Sequence, residues 1–71
     1  TRLQEWLQAR QLALPSYELL GVSGADHKQQ FTVSCAVAEL SQTTEGSASS
    51  RRKAEQKAAR LMLDILHGER P

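Results

Sequence analysis

Between Gln30 and Ala38 the sequence alternates with period two. Phe31, Val33, Cys35 and Val37 fall on one side, and Gln30, Thr32, Ser34, Ala36 and Ala38 on the other. Successive side chains of a strand point to opposite faces, so this segment has one apolar and one polar face. It reads as an antiparallel strand covered on one side only. That requirement governs the rest of the chain, because something apolar must lie on the single dry face. Cys35 shares the parity of the core residues and is expected to be a small buried hydrophobe rather than a reactive thiol. The chain has 71 residues, and folding at this size hides only about 60% of the surface of the unfolded chain. The core is therefore one thin layer in a single domain, with no room for a second lobe around a cleft.

Two segments carry the helical period needed to cover such a sheet. Thr1-Arg2-Leu3-Gln4 has the form of a capping box with Thr1 as N-cap. Leu3, Trp6, Leu7 and Arg10 then form a stripe, opposite Gln4, Glu5, Gln8 and Gln11. Trp6 belongs to that stripe, so it is expected to pack in the core. Pro15 disfavours a helical residue before it, so this helix has ended by Leu14. Tyr17 to Val22 reads as a strand closed by Ser23-Gly24 and a polar turn through Asp26 and Lys28. Residues 41–49 are polar and turn-rich, and fit either a weak third strand with a loop or a loop throughout. From Arg51 the helical period returns in Ala54, Ala58, Leu61, Met62, Ile65 and Leu66. Ser50 is the expected N-cap, and Gly68 and Pro71 supply the stop. Helix, strands, helix, with both helices on one sheet face, is a two-layer α+β domain.

Charge is spread unevenly. Residues 1–50 carry three basic and five acidic side chains, whereas 51–71 carry six and three. Within 51–60 there are five basic residues against Glu55 alone. Such a cluster on a nearly neutral background fits a small polyanion footprint, and equally a solvated helix face. One cysteine excludes an internal disulfide framework and a multi-cysteine zinc site, and fits a reducing, cytoplasmic setting. No apolar stretch approaches the ~20 residues of a membrane span, so no membrane partner is expected. The sequence opens on Thr1 rather than Met, which we read as a piece of a longer protein. The acidic residues are scattered, so no catalytic carboxylate cluster is expected here.

The stretch Gly46-Ser47-Ala48-Ser49-Ser50-Arg51-Arg52-Lys53-Ala54-Glu55 resembles the loop-to-helix signature of the double-stranded RNA-binding domain. That signature is a glycine-containing loop, a serine, a basic pair and then an alanine one residue on. Gly24-Ala25-Asp26-His27 followed by Phe31 resembles the family's first hairpin, and Pro15-Ser16-Tyr17 its entry to the first strand. Thr1-Arg2-Leu3-Gln4-Glu5 with Gln8 is similar, more narrowly, to the domain at the C-terminus of bacterial ribonuclease III. The likeness spans essentially the whole chain. Two departures stand out: Ala48 where the family often has a second glycine, and Glu55 where eukaryotic members often have a basic residue. Glu55 also follows Arg51 by four, within pairing range, and is expected in the first turn of its helix.

The resemblance implies the fold α-β-β-β-α, two helices on one face of a three-stranded antiparallel sheet, which decides 41–49 in favour of a strand. It implies a non-catalytic module that binds double-stranded RNA through three surfaces. The first helix would offer Thr1, Gln4, Glu5 and Gln8 to ribose hydroxyls, a row that without the family would be merely a wet helix side. His27 in the hairpin turn would reach a second minor groove. Ser50, Arg51, Arg52, Lys53 and Lys57 would meet the phosphates. His67, by contrast, is expected to face the carbonyls at the end of the last helix. No cofactor is implied for this domain. Magnesium would belong to a nuclease domain elsewhere in the longer protein, which is expected to dimerise through that domain, leaving this piece monomeric. The alternative use of the same fold is a protein-interaction or dimerisation domain without RNA binding.

Overall fold

The computed structural model describes residues 2–68. They form α1 (Arg2–Ala9), β1 (Ser16–Ser23), β2 (Gln30–Val37), a 3-10 turn at Ala38–Leu40, β3 (Gln42–Ala48) and α2 (Arg51–Gly68). This is the α-β-β-β-α order. The capping role of Thr1 and the stop at Pro71 lie outside the described residues. The sheet is antiparallel in the order β1-β2-β3. Within segment 41–49, Gln42–Ala48 is a strand because the second edge of β2 needs partners for its backbone groups. Pairing runs from Phe31 opposite Ala48 to Val37 opposite Gln42. On the other side, β1 pairs from Ser16 opposite Ala36 to Ser23 opposite Gln30, with a bulge between Leu19 and Gly21.

The period-two pattern of β2 settles which face is covered. Val33, Cys35 and Val37 are buried. Cys35 and Val37 join Leu3 and Leu7 of α1 and Ala58, Ala59, Met62 and Leu66 of α2 in one cluster. Trp6 and Tyr17 pack half-buried against it. The opposite face of the sheet is polar, and there the Thr32 and Ser47 hydroxyls lie 2.9 Å apart.

Helix α1 ends well before Pro15, and its backbone shows why. Gln11 adopts a left-handed conformation at φ 57°. The Leu12 amide then donates back to the Leu7 carbonyl at 2.9 Å, and the Gln11 amide to Gln8 at 3.0 Å. These two bonds close the last turn as a Schellman motif.

Helix α2 lies close against β3. Thr44, buried among apolar groups, donates its hydroxyl to the Ala58 carbonyl at 2.7 Å. Gly46, expected in a loop, is instead inside β3. A Cβ there would come within 2.6 Å of the Ala58 nitrogen and 2.7 Å of the Ala54 carbonyl oxygen. The glycine is what permits the contact.

Two core assignments are corrected by this packing. Leu61, expected on the buried stripe of α2, is 43% exposed. It sits one turn after Lys57, whose ammonium reaches Ser47 of β3. That flank faces β3, the edge strand of the sheet. Phe31 is only half-buried and lies outside the core cluster. Its partner Val22 is 48% exposed, so the helices do not cover this end of the sheet. Full burial would make Phe31→Ala cost about 3–5 kcal/mol. Half-burial lowers the expected cost to about 1–2 kcal/mol. Thermal melts of Phe31→Ala and Leu7→Ala should rank the leucine variant as clearly the less stable.

Candidate nucleic-acid interface

The start of α2 is built as an anion-facing helix end. The Ser50 hydroxyl accepts a hydrogen bond from the Lys53 amide at 3.2 Å, the expected N-cap. Arg51, Arg52 and Lys53 follow on the first turn, all exposed. They stand beside the N–H groups and the positive end of the helix dipole. The first turn contains no acidic residue. Glu55, expected there, opens the second turn, because Ser50 is the cap and α2 begins at Arg51. Its carboxylate Oε2 pairs with Arg51 Nε at 3.3 Å, with the two side chains 32% and 56% exposed. An open i,i+4 pair of this kind is worth only about 0.3–0.5 kcal/mol. The Lys57 ammonium donates to the Ser47 carbonyl at 3.2 Å, which holds it over β3.

The exposed residues of α1 do not share one environment. Gln4 meets Tyr17, Arg52, Glu55, Gln56 and Ala59 around a half-open notch of about 210 Å³. Glu5 instead lines a larger groove between the helices, about 910 Å³, with Arg2, Trp6, Arg60, Leu63 and His67. Gln8 is exposed one turn beyond Gln4. The Arg10 guanidinium stacks 3.8 Å from the centre of the Trp6 ring, so this cation is engaged within the fold. His67 falls in the last turn of α2, near its carbonyl end. At the notch, burial, with Cys35 beside it, pushes the Tyr17 hydroxyl up to about 12. Burial likewise raises the Cys35 thiol.

His27 is exposed in the turn between β1 and β2. That turn is shaped by Gly24 at φ 95°, where a side chain would run into the Lys28 carbonyl. Ala48 pairs with Phe31, so α2 starts at the hairpin end of the sheet. The structure thus joins Gln4, Arg52 and Glu55, sets Arg51 and Lys53 next to them, and leaves His27 apart at the hairpin tip. Thr1 lies outside the described residues. Gln56 and Tyr17 were not anticipated at the site. Gln56 follows Arg52 by four, and that spacing was the available signal.

This arrangement can be set beside known proteins. Residues 1–66 match the model of the double-stranded RNA binding motif. The chain belongs to that family. Ribonuclease 3 of Delftia acidovorans is 53% identical over 66 residues, covering 93% of this chain and 29% of the relative. Ribonuclease 3 of one Xylella fastidiosa strain is 63% identical over the same shares. That of Hahella chejuensis is 60% identical over 63 residues, 89% of this chain and 28% of the relative. The chain thus spans under a third of the length of these relatives. Among the described residues, no helix is long and apolar enough to cross a membrane.

Proposed function

We propose that this chain is a non-catalytic module that recognises A-form double-stranded RNA. The family match and the ribonuclease 3 relatives support a double-stranded RNA-binding module. The observation that carries the reading is the start of α2, three exposed cations on a capped helix N-terminus with the polar face of α1 beside it. A-form RNA buries its bases in a deep major groove and displays 2′-hydroxyls across a shallow minor groove. A small domain therefore reads shape, over about 16 bp, by touching two minor grooves and the phosphates between them. Arg51, Arg52 and Lys53 serve the phosphates, Gln4 and Gln8 the hydroxyls, and His27 the second groove. Glu5 can accept a hydrogen bond from the 2′-hydroxyl, which DNA lacks. Within the longer cytoplasmic protein, the module would deliver RNA to a magnesium-dependent nuclease domain that also supplies dimerisation, and by itself would be a monomer.

Competition between an RNA duplex and a DNA duplex of the same sequence tests the proposal. Clear preference for RNA is expected; equal affinity would sink it.

Glu55 tempers the phosphate surface by pairing with Arg51. Glu55→Lys is expected to tighten RNA binding and steepen the slope of log affinity against log salt by up to about one unit. Breaking the pair should cost the fold only about 0.3–0.5 kcal/mol. A binding titration at several salt concentrations, with a thermal melt, reads both effects.

A further inference from the structure

We propose that Glu39, in the 3-10 turn between β2 and β3, is a positioning residue that fixes the C-terminal end of α1, and with it Gln8, for contact with RNA. The inference rests on the RNA-binding reading above. Glu39 itself belongs to none of the surfaces assigned to the RNA.

The bond that carries the inference joins two closed turns. The Ala13 amide donates to Glu39 Oε1 at 2.7 Å, between residues 26 apart in sequence. On one side, the Gln11 and Leu12 amides tie the chain just before Ala13 to the carbonyls of Gln8 and Leu7. On the other, Ser41 at φ 54° donates to the Ala38 carbonyl at 3.1 Å and closes the turn that holds Glu39. Leu12 and Leu40, the neighbours of the two bonded residues, pack against the core cluster. The bond thus sets where α1 ends relative to the sheet. Its acceptor is a carboxylate, which strengthens a hydrogen bond over a neutral pair. Helix α1 needs such a hold. It has 8 residues, of which Leu3 and Leu7 are buried, and isolated helices below ~12–15 residues are marginal in water. Gln8 is exposed on its last turn, so its place follows the helix backbone.

Charge and position make opposite forecasts for Glu39. Removing a carboxylate from a polyanion-binding domain strengthens binding by charge alone, whereas losing a positioning contact weakens it. The probe is an RNA duplex of about 20 bp, longer than the ~16 bp footprint. Glu39→Ala is expected to weaken binding by about 2- to 10-fold, the range that one hydrogen bond spans, with the salt slope unchanged. Glu39→Gln keeps a carbonyl oxygen for the Ala13 amide and should bind at least as tightly as the unaltered chain. Glu39 is exposed, and melts check that both variants are folded. A double-mutant cycle separates positioning from general loosening of the fold. Gln8→Ala should cost clearly less affinity in the Glu39→Ala background than alone, while Lys53→Ala should cost the same in both. Equal costs of Gln8→Ala in the two backgrounds, or tighter binding by Glu39→Ala, would overturn the role of Glu39 while leaving RNA binding intact. Failure of the unaltered chain to bind the duplex would overturn both readings.

Discussion

Gly46→Ala is expected to remove most or all of the folding free energy of this domain. The added Cβ would lie 2.6 Å from the Ala58 nitrogen, 2.7 Å from the Ala54 carbonyl oxygen and 2.9 Å from the Lys57 Cβ. Two of these neighbours are backbone atoms of α2, which cannot swing aside as the end of a long side chain can. The helix must lift from β3 as a body. That movement stretches the bond from Thr44 to the Ala58 carbonyl and loosens Ala58 and Met62 in the core cluster. Overpacking of this kind costs about 1–3 kcal/mol, sometimes more, and here every consequence points to the upper end. A core this small supplies little more than ~3–5 kcal/mol in total. A loss of about 3 kcal/mol corresponds to a fall in Tm of roughly 12–24 °C. Thermal unfolding followed by far-UV circular dichroism measures it, and an unchanged Tm would mean that the helix does not lie so close. Gly21→Ala is the control, since nothing lies within 4 Å of its added Cβ.

The fold was legible where one physical requirement dominated. In β2 the alternation of Val33, Cys35 and Val37 with polar residues admits one strand and one covered face, and these residues are buried. Ser50 was legible as a cap because few side chains reach back to a third-residue amide. The strand at Gln42–Ala48 was not legible from its own residues. Its pairing is dictated by the open edge of β2, and its buried positions hold Thr44 and Gly46, which carry no hydrophobic signal. Gly46 looked like loop punctuation because a glycine that admits a helix and a glycine that permits a turn are the same letter. Leu61 and Phe31 failed for a related reason. Periodicity tells which side a residue points to, and not whether a partner element extends far enough to cover it.

The site was legible in its charge and less so in its geometry. Arg51, Arg52 and Lys53 follow a cap, and both facts are local. That Gln4 and Arg52 line a common notch is a long-range fact fixed by the crossing of the two helices. The separation of Gln4 from Glu5 has the same origin, since neighbours on a helix stand about 100° apart and here face different cavities. The bond of Lys57 to a strand carbonyl could not be foreseen either, because an exposed lysine in a basic run carries no mark of an internal partner.

Replacing Arg51, Arg52 and Lys53 together with alanine is expected to produce the largest functional loss. Each phosphate contact contributes about 0.9 to the slope of log affinity against log salt. At 0.15 M salt this amounts to ~0.7 of a log unit per contact, so three contacts are worth roughly 100-fold in affinity and nearly three units of slope. The Arg51 share is the smallest, because Glu55 already holds part of its charge. Gln4→Ala should weaken binding without altering the slope, since an amide displaces no counterion. Stability supplies an independent reading. Three cations on the first turn sit at the positive end of the α2 dipole, an arrangement that costs a helix about 0.3–1 kcal/mol per charge. The triple variant should therefore melt no lower than the unaltered chain, and slightly higher at low salt, while its affinity collapses. A lower melting temperature together with weaker binding would mean that these side chains hold the fold together. Opposite movements of stability and affinity would mean that the fold tolerates them for the sake of the polyanion they bind.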